Sequence, residues 1–110
     1  VDHEERTSDL GFVATKHVVR RVRRRMGLPK RAVIGEIEKA YKYGRRIEEF
    51  SGRFREHLDS IRSNKRGANK IIVYRNFMFL INERPDRNDR ILTAYHVPQE
   101  YRRLVKRNIK

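Results

Sequence analysis

No cysteine occurs in the 110-residue chain, which excludes a disulfide framework and any thiolate metal site. No apolar run approaches the roughly 18 residues that a membrane-spanning helix needs, and no signal peptide is visible. No membrane partner is therefore expected. The GxxxxGK[ST] and GxGxxG loops are missing, which disfavours nucleotide hydrolysis and dinucleotide binding. No GxSxG turn or cysteine nucleophile supports acyl transfer. The four histidines form no HxxxH pair and have no carboxylate at ligand spacing, so neither a metal nor any other cofactor is expected. Acidic residues are scarce, with 14 Asp and Glu against 28 Lys and Arg and a formal charge of +14. A chain so basic repels itself and seeks polyanions, with nucleic acid the first candidate.

The length fits one domain spanning residues 1–110. Hydrophobic residues make up only 37% of the chain, but they are clustered and periodic, which argues against disorder. Residues 1–11 carry Asp2, Glu4, Glu5 and Asp9 and read as a loose acidic arm. Residues 12–62 read as the helical part. A first helix is expected over 13–26, stopped by Gly27. Pro29 opens a second helix, which carries Val33, Ile37, Ala40 and Tyr41 on one face and ends at Gly44. A third is expected over 47–62, with Ile47, Phe50, Phe54, Leu58 and Ile61 aligned. A polar connector over 60–69 precedes a change of period. Residues 70–98 read as antiparallel strands, with a tight hairpin at Arg75-Asn76 and a longer loop over 82–90. Pro98 ends the last strand, and residues 99–106 form a final basic helix. Helices followed by strands argue an α+β fold, with N-terminal helices packed on a small antiparallel sheet.

The densest chemistry lies in the first helix. His17, Arg21 and Arg25 are spaced four apart and stack as one stripe. Val18, Val19, Val22 and Met26 form an adjacent arc that suits a core. Phosphate chemistry needs a group titrating near neutrality and fixed positive charge, and this stripe offers both. Arg20 and Arg24 on the same helix, Lys30 and Arg31 opening the second, and Arg102 and Arg103 in the last are candidate nucleic-acid contacts. Charged helix faces are most often plain surface, and contact with nucleic acid is not catalysis. In the last strand, alternation places Ile91, Thr93, Tyr95 and Val97 on one face and Leu92, Ala94 and His96 on the other. Thr93 and Tyr95 then present a hydroxyl and a phenol, or simply pack. Tyr74 and His57 read as packing residues, and His96 as a further candidate.

The pattern His-x-x-x-Arg-x-x-x-Arg-x-Gly-Leu, formed by His17, Arg21, Arg25, Gly27 and Leu28, precedes a late Leu92-Thr93-x-Tyr95 strand. Together they resemble the small toxin-type ribonuclease domains of the Barnase–EndoU–colicin–RelE class, including prophage-type proteins with a Gly-Leu-Pro-Lys turn. The likeness covers most of residues 15–98. Val18 stands where relatives often carry Ala, and the third helix and the 82–90 loop exceed the minimal pattern. The resemblance implies metal-independent RNA cleavage, in which the ribose 2′-hydroxyl attacks the adjacent phosphorus. It implies His17 as base or acid, Arg21 and Arg25 as phosphate clamps, and Thr93 and Tyr95 as positioning or proton-relay groups. It further implies RNA as substrate, an acidic immunity protein or antitoxin as partner, and a cytoplasmic site of action. The first residue is Val1 rather than Met, so a longer parent, secreted or not, is expected. Two other functions stay open: a non-catalytic nucleic-acid-binding module, and a phage or mobile-element protein that binds an acidic host protein.

Overall fold

The computed structural model describes residues 5–106. Two short strands come first, β1 (Glu5–Ser8) and β2 (Phe12–Thr15), paired antiparallel from Glu5↔Thr15 to Ser8↔Phe12. Gly11 turns the chain between them at φ 91°, with its N–H on the Ser8 carbonyl. The reading of residues 1–11 as a loose arm is therefore corrected from Glu5 onward, and residues 1–4 lie outside the described residues. A polar edge strand has no apolar period of its own, and its order comes from its partner. Ser8 is also tied inward, its hydroxyl donating to Glu38 Oε2 at 2.8 Å.

Helix α1 (Lys16–Met26) starts where the Thr15 hydroxyl accepts the Val18 N–H at 3.2 Å. It starts later than expected because Val13 belongs to β2. It stops at Gly27, whose left-handed φ of 68° suits a residue without a Cβ. Helix α2 (Lys30–Tyr43) follows Pro29 and ends at Gly44. A Cβ at Gly44 would strike the Ala40 carbonyl and the Ile72 side chain, so close approach to the sheet demands glycine there.

The expected third helix is broken. Strand β3 (Arg45–Arg46) and a 3-10 turn (Ile47–Glu49) precede helix α3 (Gly52–Asn64). Ile47 and Phe50 bury in the same core as Phe54 and Leu58, so the burial period runs through a break in the backbone. Strands β4 (Lys70–Tyr74), β5 (Phe77–Asn82) and β6 (Asp89–His96) form the expected meander. Its first turn is the two-residue Arg75-Asn76 hairpin, with Arg75 at φ 55°. A 3-10 turn (Gln99–Tyr101) and helix α4 (Arg102–Lys106) close the described chain.

The fold is α+β, and its sheet is larger than expected. Six strands run in the order β1-β2-β6-β5-β4-β3, and the β2–β6 pairing is parallel, so the sheet is mixed. Helices cover both faces. Val19, Val22, Val33 and Ile37 of α1 and α2 pack on Phe12, Phe79, Ile81 and Ile91, while Phe54, Leu58 and Val105 of α3 and α4 pack on Val73, Met78 and Leu80. A strand buried on both sides reads as an unbroken apolar run, as in Ile71–Val73 and Met78–Ile81.

The face assignment in β6 needs a correction. Leu80 pairs with Thr93 but Ile81 pairs with Ile91, which makes Leu92 the extra residue of a bulge. The bulge resets alternation, so Ile91 and Ala94 share the α1–α2 core while Tyr95 and Val97 belong to the α3–α4 core.

The parallel pairing is short, Phe12↔Asp89 and Val13↔Arg90, and a polar cluster secures it. Tyr41 donates its hydroxyl to Asp89 Oδ2 at 2.8 Å, and Lys70 Nζ bridges Asp89 and Glu83 at 3.3 and 3.1 Å. Burial, then the bond to Asp89, hold the Tyr41 phenol protonated well above the usual tyrosine range. The folded state thus binds this proton more tightly than the unfolded chain. Its contribution is complete below about pH 10 and is lost as pH rises beyond it. In urea unfolding at a series of pH values, Tyr41→Phe should lose about 1.5 kcal/mol at neutral pH. Above pH 10 the wild type should fall faster than the variant, by up to ~1.4 kcal/mol per pH unit. Parallel curves would contradict this account.

Candidate functional site

Helix α1 separates its residues by side. Val19 and Val22 are buried, and Val18 and Met26 pack partly against the same core. On the solvent side His17, Arg20, Arg21, Arg24 and Arg25 line one open basin of about 360 Å³. The helix carries no acidic residue, and Arg23, Arg24 and Arg25 sit in its last turn, where cations suit the helix dipole. Arg21 Nη2 donates to His17 Nε2 at 3.0 Å. A guanidinium only donates, so Nε2 is the acceptor in this pair.

Arg25 is held more firmly. Its Nη1 donates to Thr93 Oγ1 at 2.9 Å and to the Ala94 carbonyl at 3.0 Å, and its guanidinium lies 4.5 Å over the Tyr95 ring. The reason lies in the sheet. β2 pairs with β6 only as far as Arg90, and beyond it α1 takes the place of a strand. The Ala94 carbonyl on that edge accepts a guanidinium N–H where a ladder bond would otherwise run. His96 adds a return bond, its Nε2 donating to the Arg25 carbonyl at 2.6 Å while its ring leans on Phe77.

The sequence-derived candidates therefore divide. His17, Arg21 and Arg25, with Arg20 and Arg24, share the basin. Thr93 does not reach it as a substrate group, because the residue is fully buried and anchors Arg25 instead. Tyr95 is half-buried beneath Arg25. Lys30 and Arg31 are exposed on the first turn of α2, outside the basin lining. Arg102 is a brace, its Nε on the Val97 carbonyl at 3.1 Å, and Arg103 is exposed on α4, whose Val105 packs on the opposite face of the sheet. Among the described residues no group of three or more His, Asp or Glu is placed to hold a metal ion. None of their helices is long and apolar enough to cross a membrane.

One feature escaped the sequence reading. A cavity of about 400 Å³ lies between α3 and the end of β6, lined by His57, Ile61, Asn64, Lys65, Met78, Tyr95, His96 and Pro98. The spacing of His57, Ile61 and Asn64 along one helix face was the available signal. Ile61 packs partly against the core, as that spacing predicts, and also lines the cavity.

The Arg25 anchor can be tested by a double-mutant cycle in urea unfolding. Thr93→Val and Arg25→Ala should each destabilise by about 1–2 kcal/mol and couple by about 1 kcal/mol. Arg24→Ala, at an exposed position, should stay within about 0.5 kcal/mol of wild type. Additive losses would show that the two side chains act separately. Comparison of the chain with protein-family models, curated proteins and solved structures finds no significant match.

Proposed function

We propose that this domain binds single-stranded RNA across α1 and cleaves it without a metal ion, in the manner of the toxin-type ribonucleases it resembles. The observation that carries the reading is the basin itself, where one imidazole and four guanidiniums line a single open concavity. Arginine suits phosphate because its planar fork matches two phosphate oxygens. RNA also supplies its own nucleophile, so the protein needs to provide only a base and charge stabilisation.

In this reading the phosphate draws the Arg21 guanidinium away from His17, which frees the Nε2 lone pair. His17 takes the 2′-hydroxyl proton as the 2′-oxygen attacks phosphorus. Arg21 and Arg25 offset the charge that builds on the phosphorane oxygens. The P–O5′ bond breaks, the leaving oxygen takes a proton from solvent in the open basin, and a 2′,3′-cyclic phosphate and a 5′-hydroxyl result. Thr93 and Tyr95 act one step back, by fixing where the Arg25 guanidinium sits. An acidic immunity protein or antitoxin would be drawn to the same helix, since complementary charge steers association.

A second reading, binding without cleavage, has one observation in its favour: His17 is exposed and is the only acid–base side chain other than arginine in the basin lining. One experiment separates the two. Purified protein is incubated with single-stranded RNA in EDTA, and the products are identified by mass spectrometry. Fragments ending in 2′,3′-cyclic phosphate are expected, with no cleavage of 2′-deoxy substrates. His17→Ala should lower the rate by ~10²–10⁴-fold, the usual worth of a positioned acid or base, and leave the thermal midpoint nearly unchanged. Equal cleavage by His17→Ala and wild type, or none by either with RNA still bound, would remove catalysis from the basin.

A further inference from the structure

The cavity between α3 and β6 holds space that the proposed reaction does not use. We propose that it is a nucleobase-binding subsite, which takes a base of the RNA strand whose phosphates lie over α1. This rests on the RNA reading above.

Three observations carry it. The first is the lining. Ile61 and Met78 give an apolar floor, and Tyr95, His57 and His96 bring flat rings. Bases stack on such rings, and methionine sulfur adds a polarisable contact. The volume, about 400 Å³, lies in the range of small-ligand sites.

The second is polar equipment that the fold leaves unspent. Asn64 is exposed at the end of α3, and its amide makes no hydrogen bond among the described residues. A carboxamide offers one acceptor and two donors side by side, which suits the edge of a base. His96 donates from Nε2 to the Arg25 carbonyl, and its Nδ1 makes no bond among the described residues. Lys65, also in the lining, adds a cation suited to the strand's phosphates.

The third is continuity with the basin. Arg25 lines the basin and lies over the Tyr95 ring, and Tyr95 lines the cavity. His96 lines the cavity and holds the Arg25 backbone. The two concavities are joined through Arg25, Tyr95 and His96, so a strand whose phosphate meets Arg25 would reach the cavity with a base on the other side of Tyr95. Phosphate contacts position a strand and base contacts select it, so the cavity would set which nucleotide is accepted there.

The test begins with uncharged ligands, which the arginines do not attract. Adenosine, guanosine, cytidine and uridine are titrated separately into the protein, with the Met78 methyl and the His57 and His96 ring signals followed by NMR. One nucleoside should shift these signals most. Asn64→Ala, at an exposed position, should weaken its binding several-fold and level the ranking. Ile61→Trp should fill the cavity and abolish the shifts. With RNA homopolymers, Asn64→Ala should also level the ranking, and Ile61→Trp should reduce affinity for the preferred polymer about 10-fold.

If RNA binds with strong salt dependence while no nucleoside moves Met78 and Asn64→Ala changes no ranking, the subsite is overturned and the basin reading stands. If nucleosides shift Met78 but RNA binding shows no salt dependence, the basin reading falls and the RNA subsite falls with it.

Discussion

Arg25 joins the first helix to a stretch of β6 that no strand covers. β2 accompanies β6 only at Asp89 and Arg90 before the chain turns into α1. A carbonyl and a fully buried threonine hydroxyl lie beyond that point, and leaving such groups unpaired would cost about 1–3 kcal/mol each. One guanidinium satisfies both, and the His96 bond to the Arg25 carbonyl closes the join from the other side. At the opposite end of β6 the Tyr41–Asp89–Lys70 cluster performs the equivalent task for the parallel pairing. The strand is thus clamped at both ends by polar side chains from helix and sheet. The Arg25 clamp fixes the end of α1 against β6, and the buried Val19 and Val22 leave its other arginines on the solvent side.

Charge is distributed with the same consequence. On α2 and α3 acidic residues alternate with basic ones and pair locally, as in Lys39–Glu36, Arg55–Asp59 and Arg62–Asp59. Each exposed pair contributes little stability, but each neutralises the surface around it. α1 has no acidic residue with which to do this. In a domain of net charge +14, α1 therefore carries a run of arginines with no carboxylate on the same helix to offset them. Field from such a patch raises the local concentration of polyanions before any specific contact forms.

Much of this was legible in the sequence, and the failures have physical causes. The stripe of His17, Arg21 and Arg25 follows from helical spacing alone, because nothing interrupts the helix between them. The β4 and β5 strands showed as apolar runs because both their faces are covered. Glu5–Ser8 was invisible because an edge strand is ordered by the partner it meets. The break before Gly52 was hidden because Ile47 and Phe50 reach the same core with or without a continuous helix. The bulge at Leu92 moved Ile91 to the other face, and Thr93 is buried because β6 lies inside a sheet covered on both faces. Of the cavity only the α3 wall had a signal in the sequence, since the other walls come from β5 and the end of β6, which only the fold brings to it.

If α1, rather than overall charge, receives an RNA backbone as proposed, the position of the removed charge decides the loss of binding. Two triple variants of equal net charge separate these possibilities. One replaces Arg20, Arg21 and Arg24 by Ala in the basin. The other replaces Lys39, Lys42 and Arg53, exposed on α2 and α3, in the same way. Binding of a fluorescent single-stranded RNA is measured by anisotropy over a range of salt. The slope of log affinity against log salt should flatten by about 2 for the basin triple, by loss of counterion release at three phosphates, and stay near wild type for the other. Equal flattening by both triples, or none by the first, would contradict the account.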